Sequence, residues 1–303
     1  MDTAPKKGKI RIKLDRIAFF LLGIVSAIIV ALIISGTSFP RQESTEKTVF
    51  IEYGFSFSGM EMRNDLGDRV VFPECTNDYS LVFSLSSGCK ACIEKLHAIG
   101  ELSRILGGDF ADIVVLWSRE CPWDQIEGTG LLSSQNYILD NTHLGNGVPH
   151  YYISDKNGTV LFSCENLDEL ITKLISLDGI NLSELQRSAD TYLLERLEAT
   201  SDSEGPILVE FSMVGCPDCE AAYPIVNNET IQSAFNQYTL YCDNMSSQNE
   251  LFPQIDYGNV LADIYGIRWY PSFVVFRENE RTIVGETPID SLESTLLATI
   301  KDA

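Results

Sequence analysis

The sequence is short of basic residues: 22 lysines and arginines stand against 43 aspartates and glutamates, giving a formal net charge of −21. Proteins that bind nucleic acid neutralise phosphates with lysine and arginine, so this balance argues against a nucleic-acid partner. Cysteine is also scarce, with eight in 303 residues, too few for a scaffold held together by disulfides. Hydrophobic residues make up 45% of the chain, which excludes wholesale disorder. A chain of this length suits two packed domains better than one.

Charge is absent altogether from the 19 residues Ile17–Ser35. As a helix rising 1.5 Å per residue, this run would span roughly 28 Å, close to the hydrocarbon thickness of a bilayer. Residues 1–16 carry a local charge of +4, and the basic side of a membrane span faces the cytosol. The pattern predicts a basic cytosolic tail at 1–16, a single-pass anchor in the cell membrane at 17–35, and an extracytoplasmic remainder.

The apolar run has two other interpretations. A buried core helix would show a polar face, and this run has no polar side chains beyond Ser26 and Ser35. A cleaved secretory signal would export the same residues, but the run is longer than the usual signal core and no clear A-x-A cleavage site follows. Because export by either route permits disulfides, paired cysteines call for a redox interpretation.

The exported part contains the same order of elements twice. After a linker and early strand at 36–65, residues 66–178 are typical of strand, helix, strand, β-hairpin and helix. Residues 203–303 repeat that order, and a polar connecting helix is expected at 179–202 between the two copies. The repetition predicts an α/β protein with two copies of one fold, each a central mixed sheet flanked by helices.

Each copy has a C-x-x-C motif between an apolar strand and a helix, followed by a hydrophobic residue and proline that lead into the hairpin. The first cysteine precedes that proline by 60 residues in the first copy and by 55 in the second. The residues involved are Cys89, Cys92 and Pro149 in the first copy and Cys216, Cys219 and Pro271 in the second. A lone C-x-x-C is weak evidence, but this context occurs twice.

The second copy, GPILVEFSMVGCPDCEAAYPIV…YGIRWYPSFVVF, resembles the thioredoxin family over essentially all of 203–303. The first copy is more distantly similar and is closer to membrane-anchored, extracytoplasmic thioredoxin-like reductases. The resemblance implies two tandem thioredoxin-like folds that exchange disulfides through their dithiols, without a bound cofactor or metal. It also implies that the peptide bonds before Pro149 and Pro271 are cis and that these prolines help to position an extended substrate strand.

The chemistry of a dithiol gives its two cysteines different roles. The first cysteine, Cys89 or Cys216, lies at a helix N-terminus, where free N–H groups and the helix dipole stabilise a thiolate. The second, Cys92 or Cys219, is close enough to attack a mixed disulfide and release the substrate. We therefore predict that Cys89 and Cys216 are nucleophiles and that Cys92 and Cys219 are resolving cysteines.

The C-x-x-C pairs have two alternative interpretations. A zinc site needs four converging ligands, but 124 residues separate Cys92 from Cys216, on separate copies. A static disulfide in an inactive docking domain is the stronger alternative, above all for the first copy. The three histidines are expected to be surface or capping residues, although His150 follows Pro149 and can face Cys89. The other two are His97 and His143.

Two further residues of the second copy match the family pattern. Glu210, six residues before Cys216 in an apolar strand, matches the buried carboxylate that takes a proton from the resolving thiol. Its alternative interpretation is a surface residue on an edge strand. Pro224 matches the proline that kinks the active-site helix. The first copy has Phe83 and His97 at these two places, which leaves its handling of protons in doubt.

Three of the remaining cysteines are candidate auxiliary thiols: Cys121, Cys164 and Cys242. The resemblance implies that all three lie on the active-site rim, where they could pass a disulfide to or from a C-x-x-C pair. The alternative that we favour is one or two structural disulfides, Cys75–Cys164 among them, or buried free thiols.

Charge near the dithiols predicts a direction of exchange. Asp218 and Glu220 flank Cys219 and should make the second dithiol the better reductant, whereas Lys90 acts oppositely at Cys89. We therefore predict a membrane-anchored enzyme that exchanges disulfides with exported proteins, with a membrane thiol-electron carrier as a further candidate partner. The alternatives are an oxidase or isomerase of exported proteins, and a non-catalytic module that holds a client in the thioredoxin-like cleft.

Overall fold

The computed structural model describes residues 47–132, 135–139, 142–198, 205–242, 256–278 and 280–301. The predicted anchor at 17–35 lies outside these ranges. Within them, no helix has both the length and the apolar character needed to cross a membrane.

The strands are β1 Lys47–Val49, β2 Glu61–Arg63, β3 Arg69–Val71, β4 Tyr79–Leu85, β5 Asp112–Trp117, β6 Asn136–Leu139, β7 Thr142–Leu144, β8 His150–Asp155, β9 Val160–Cys164, β10 Ile207–Ser212, β11 Asn236–Tyr241, β12 Ser272–Arg277 and β13 Glu280–Val284. The helices are α1 Lys90–Glu94, α2 Leu96–Leu106, α3 Trp123–Ile126, α4 Leu167–Ile175, α5 Leu182–Glu198, α6 Pro217–Val226, α7 Glu229–Ala234, α8 Asp256–Tyr265 and α9 Ile289–Ala298.

Eleven of the described strands form two mixed sheets. One has seven strands in the order β3-β2-β6-β5-β4-β8-β9, and the other has four in the order β11-β10-β12-β13. In both, the strand before the C-x-x-C motif pairs in parallel with the next long strand and antiparallel with the first strand of the hairpin. We call the seven-stranded sheet with α1–α4 the first unit, and the four-stranded sheet with α6–α9 the second unit. The mixed α/β architecture predicted from the sequence is confirmed.

The central strands are apolar because both of their faces are covered. Within β4, successive side chains point to opposite faces. Phe83 joins a core that contains Cys92 of the active-site helix, whereas Val82 packs with Phe57 and Met62 on the other face. The segment expected to be mostly linker therefore contributes core residues, because its alternating apolar side chains cover the second face of the first sheet.

The connecting helix α5 is not a free spacer. Its side chains at four-residue intervals form a buried stripe of Leu185, Ala189, Leu193 and Leu197. This stripe belongs to one continuous core that also holds Phe83 of the first unit and Phe211 of the second. Arg281 of β13 also binds this helix, with Nη1 2.7 Å from the carboxylate of Asp190. The helix therefore joins the two units into one packed body.

Candidate active site

The second C-x-x-C motif lies where β10 leads into α6. Cys216 is the N-cap of the helix, and its Sγ accepts a hydrogen bond from the backbone N–H of Cys219 at 3.2 Å. Pro217 takes the first helical position, where a missing N–H costs nothing. Gly215 has φ +72°, a left-handed conformation that glycine adopts without strain as the chain turns into the helix. The fold therefore holds Cys216 at the positive end of a helix dipole.

The first motif has the same local geometry. Cys89 is the N-cap of α1, and its Sγ accepts a hydrogen bond from the N–H of Cys92, also at 3.2 Å. Here, however, the helix is interrupted: α1 ends at Glu94 and α2 begins at Leu96. In the second unit α6 runs through Pro224 without a break. Both predicted nucleophiles are thus N-caps, on helices of different length.

A cis-proline lies beside each nucleophile. The Val148-Pro149 and Tyr270-Pro271 peptide bonds are both cis, as the resemblance implies. Cys89 Sγ is 3.7 Å from the carbonyl oxygen of Val148, and Cys216 Sγ is 3.6 Å from that of Tyr270. In each unit the structure therefore brings together the two cysteines and the proline that the sequence singles out, although 55 to 60 residues separate them along the chain.

The two dithiols differ in their bonding. A disulfide joins Cys216 to Cys219, whereas Cys89 and Cys92 are separate thiols. Burial, together with the neighbouring Cys89 thiol, raises the pKa of Cys92 to about 12. At neutral pH Cys92 is therefore almost entirely a neutral thiol, and it needs a proton acceptor before it can attack a disulfide.

Such an acceptor is present in the second unit. Glu210 lies on β10, and only 8% of it is exposed. Burial raises the pKa of its carboxyl group, against a smaller opposite effect of the hydrogen bond from Ser212. A cleft of about 450 Å³ is lined by both Glu210 and Cys219. Since β10 lies between β11 and β12, the alternative of an edge-strand surface residue is wrong.

Comparison with known proteins finds a thioredoxin among the relatives of this chain. Chloroplastic thioredoxin M4 of Arabidopsis thaliana is 28% identical to this chain over 182 residues, which is 59% of this chain and 79% of that protein. The chain is therefore similar to a thioredoxin over most of that protein's length. Thiol–disulfide exchange is the chemistry that a dithiol at a helix N-terminus is suited to.

Two solved structures that are similar to this chain each span less than half of it. A thiol:disulfide interchange protein from Bacteroides sp. is 16% identical with a TM-score of 0.34, and covers 42% of this chain and 90% of its own. The C-terminal domain of an uncharacterized protein from Bacteroides fragilis is 20% identical with a TM-score of 0.34, and covers 41% and 98% respectively. No family model matches the chain.

The first unit of this thioredoxin-like protein has no carboxylate at the position of Glu210. Phe83 occupies that place on β4 and is fully buried. Its ring packs edge-on against Tyr151, with the ring centroids 5.5 Å apart. An aromatic ring cannot accept the proton of Cys92, so this position of the first unit has no counterpart of the Glu210 carboxylate.

The candidate auxiliary cysteines are buried. Burial raises the pKa of Cys121 and of Cys164 to about 12, so both are neutral thiols in this state. Cys164 donates from Sγ to the carbonyl oxygen of Asn166 at 3.2 Å. Cys242 is also buried, and its thiol hydrogen-bonds the hydroxyl of Tyr270, the residue before the cis-proline. Cys242 therefore contacts the residue that precedes the cis-proline of the second site.

The suggested Cys75–Cys164 disulfide is wrong, because both residues are free thiols on opposite faces of the first sheet. Cys75 packs against the core on one face, and its Sγ is 2.6 Å from Oγ of Ser80. Cys164 belongs to the core on the opposite face. Sequence reasoning could not separate the two because it did not show which face each thiol joins.

His150 does not face the core that holds Cys92. Its ring centroid is 4.9 Å from that of Tyr152, on the sheet face opposite Phe83 and Tyr151. Nδ1 lies 3.8 Å from a carboxylate oxygen of Glu165, and burial lowers the pKa of the ring. His97 is exposed on α2. Sequence reasoning missed Ser212, although its position two residues after Glu210 on one strand face was a usable signal.

Proposed function

We propose that this chain is a membrane-anchored, extracytoplasmic oxidoreductase that exchanges disulfides with exported proteins, and that its second dithiol works in the reducing direction. The observation that carries the proposal is the second site, where N-cap Cys216, buried Cys219, cis-Pro271 and buried Glu210 lie together. The apolar run at 17–35 and the basic residues before it support the membrane anchor.

Reduction of a substrate begins at Cys216. Its thiolate attacks one sulfur of the substrate disulfide, and the other substrate sulfur leaves and takes up a proton. Cys216 is only half-buried, whereas Cys219 is buried, with 6% of its surface exposed. The first cysteine is therefore the one that a protein substrate reaches. The carbonyl group of Tyr270, 3.6 Å from Cys216 Sγ, is available to an extended substrate segment beside the reacting sulfur.

Resolution then uses Cys219 and Glu210. The Cys219 thiol gives its proton to Glu210 and attacks Sγ of Cys216, which breaks the mixed disulfide and releases the second substrate sulfur as a thiol once protonated. Two electrons have passed to the substrate, and the Cys216–Cys219 disulfide remains. Because burial raises the pKa of Glu210, its carboxyl group can hold this proton at a pH closer to neutral than an exposed carboxyl group can. A thiol donor, which we propose is a membrane electron carrier, must return two electrons.

Two experiments test the proposal. The full chain in detergent, supplied with a dithiol donor, should reduce the interchain disulfides of insulin, and Cys216→Ser should abolish most of that activity. Reduction no faster than the donor alone would contradict the proposed activity. A protease added outside spheroplasts should degrade residues 36–303, and protection of that portion would contradict the proposed topology.

A second candidate function applies to the first unit. Phe83 leaves Cys92, a thiol with a pKa of about 12, without the buried carboxylate that the second unit has. A site that forms a mixed disulfide but resolves it slowly holds its client. We therefore propose that the first unit is a client-holding module.

A further inference from the structure

A groove of about 480 Å³ runs beside the second site. It extends from Asp218, inside the C-x-x-C motif, past Pro271 to the loop after β13. Trp269 and Ile289 contribute apolar surface to its lining. The groove therefore adjoins both the dithiol and the cis-proline, where the proposed function places an extended substrate segment.

Trp269 is an unusual feature of this lining. It is 62% exposed, although large aromatic side chains are mostly buried in folded proteins. It directly precedes Tyr270, whose carbonyl oxygen is 3.6 Å from Cys216 Sγ. An exposed indole face beside a binding groove offers apolar contact and a favourable site for a cation.

The groove also carries negative charge that the described residues leave uncompensated. Its lining includes two exposed carboxylates, Asp218 and Glu286, and no lysine or arginine. Neither carboxylate forms an ion pair with a described residue. Arg268, the neighbour of Trp269 in sequence, is engaged by Asp263, with Nη1 2.6 Å from Oδ1. The charge is thus available to a ligand from outside.

We propose that this groove selects substrate disulfides that have a lysine or arginine next to the reacting cysteine. The cationic group would lie between Glu286 and Asp218, and its aliphatic stem would pack on Trp269. The occupant is an extended segment of a client protein, because charge complementarity favours a cationic chain and the groove adjoins cis-Pro271. The inference rests on the proposed function and names its substrate class.

The test uses the full chain in detergent with three matched peptides. Each peptide carries one cysteine in a mixed disulfide with a reporter thiol, followed by lysine, glutamine or glutamate. We expect kcat/KM for the lysine peptide to exceed that for the glutamate peptide about tenfold at low salt, and the ratio to shrink in high salt. Glu286→Gln should reduce the ratio about two- to threefold, and Glu286→Lys should lower it further.

Glu280→Gln is the matched control, because Glu280 is an exposed carboxylate at the start of β13, whereas Glu286 follows the end of that strand. It removes the same charge from the molecule but not from the groove, so the ratio should stay at the parental value. Equal kcat/KM for all three peptides would overturn the inference and leave the proposed function intact. An equal fall in the ratio with Glu280→Gln would also overturn it, since net charge alone would then explain the preference. Failure to exchange with any peptide would contradict the proposed function itself.

Discussion

The two units present their predicted nucleophiles in the same way and surround them differently. In both, the N–H of the second cysteine lies 3.2 Å from Sγ of the first, and a cis-proline follows in the chain. The strand position behind the dithiol, however, holds Glu210 in one unit and Phe83 in the other. Backbone geometry therefore places the nucleophile, whereas a single strand side chain decides whether a proton acceptor is present.

The sheets also differ at the edge beside the active-site strand. In the first unit β6 pairs with β5 and extends the sheet to β2 and β3. In the second, β11 lies at the edge of the four described strands, and its residues line the cleft that reaches Glu210. The second unit thus combines a buried proton acceptor with an opening towards solvent, a combination suited to repeated turnover.

The largest expected effect separates the nucleophiles. Cys216→Ser should abolish most of the disulfide reduction, because that unit has the carboxylate and the open cleft. Cys89→Ser should leave most of the activity. Insulin reduction by each full-length variant measures the difference. Equal losses would show that the units act in series and that the contrast between them is kinetically irrelevant.

The next effect concerns the proton acceptor. Glu210→Gln keeps the side-chain shape but removes the acceptor, so resolution by Cys219 should slow by roughly 10²-fold while the first attack is little changed. Rapid quenching should trap the mixed disulfide on Cys216. Ser212→Ala, which leaves the carboxylate in place, is the control and should have a much smaller effect. Resolution at the parental rate in Glu210→Gln would remove Glu210 from the mechanism.

The same substitution makes a prediction about stability and pH. Because burial raises the pKa of Glu210 in the folded state, the protonated form is favoured there, and folding is disfavoured as pH rises through that pKa. Glu210→Gln should therefore match the parent below the pKa of an unfolded glutamate, roughly 4.3. It should be more stable than the parent near neutral pH. Urea unfolding at the two pH values measures this, and a constant difference would contradict it.

A third effect tests whether the two units are independent bodies. Leu193 is fully buried in the α5 stripe that both units share. Leu193→Ala should cost about 2–5 kcal/mol of unfolding free energy and destabilise both units together. Glu195→Ala on the exposed side of the same helix should stay within about 0.5 kcal/mol of the parent. Two separate unfolding transitions, with one unaffected by Leu193→Ala, would contradict a shared core.

The sequence predicted what depends on neighbours along the chain. The spacing of Cys216 and Cys219 and the apolar strand before them are local signals, so the N-cap and the burial of Glu210 could be inferred. The buried stripe of α5 was missed because charged and polar side chains outnumber the apolar ones along that helix. The groove formed by Trp269 and Glu286 was also missed, since 17 residues separate them and only the fold brings them to one groove.

The smallest expected effect concerns charge beside the dithiols. Lys90 is highly exposed and pairs with Glu94 at 3.3 Å, so its influence on Cys89 is weakened by solvent and by its partner. Asp218 has no such partner among the described residues. Asp218→Asn should therefore raise the reduction potential of the second dithiol by about 5–20 mV, and Lys90→Gln should lower that of the first by less. The cause is thiolate stability: an acidic neighbour disfavours the thiolate, which makes the reduced form less stable and the dithiol more reducing.

This origin gives the charge effect a distinctive pH dependence. A neutral thiol does not respond to a nearby carboxylate as a thiolate does, so the Asp218→Asn shift should be present at alkaline pH. It should disappear at acid pH, where the reduced pair is fully protonated. Equilibration with glutathione across that range measures both potentials in each variant. A shift independent of pH would mean that Asp218 acts through the shape of α6 and not through its charge, and a larger shift for Lys90→Gln would reverse the assigned order of the two sites.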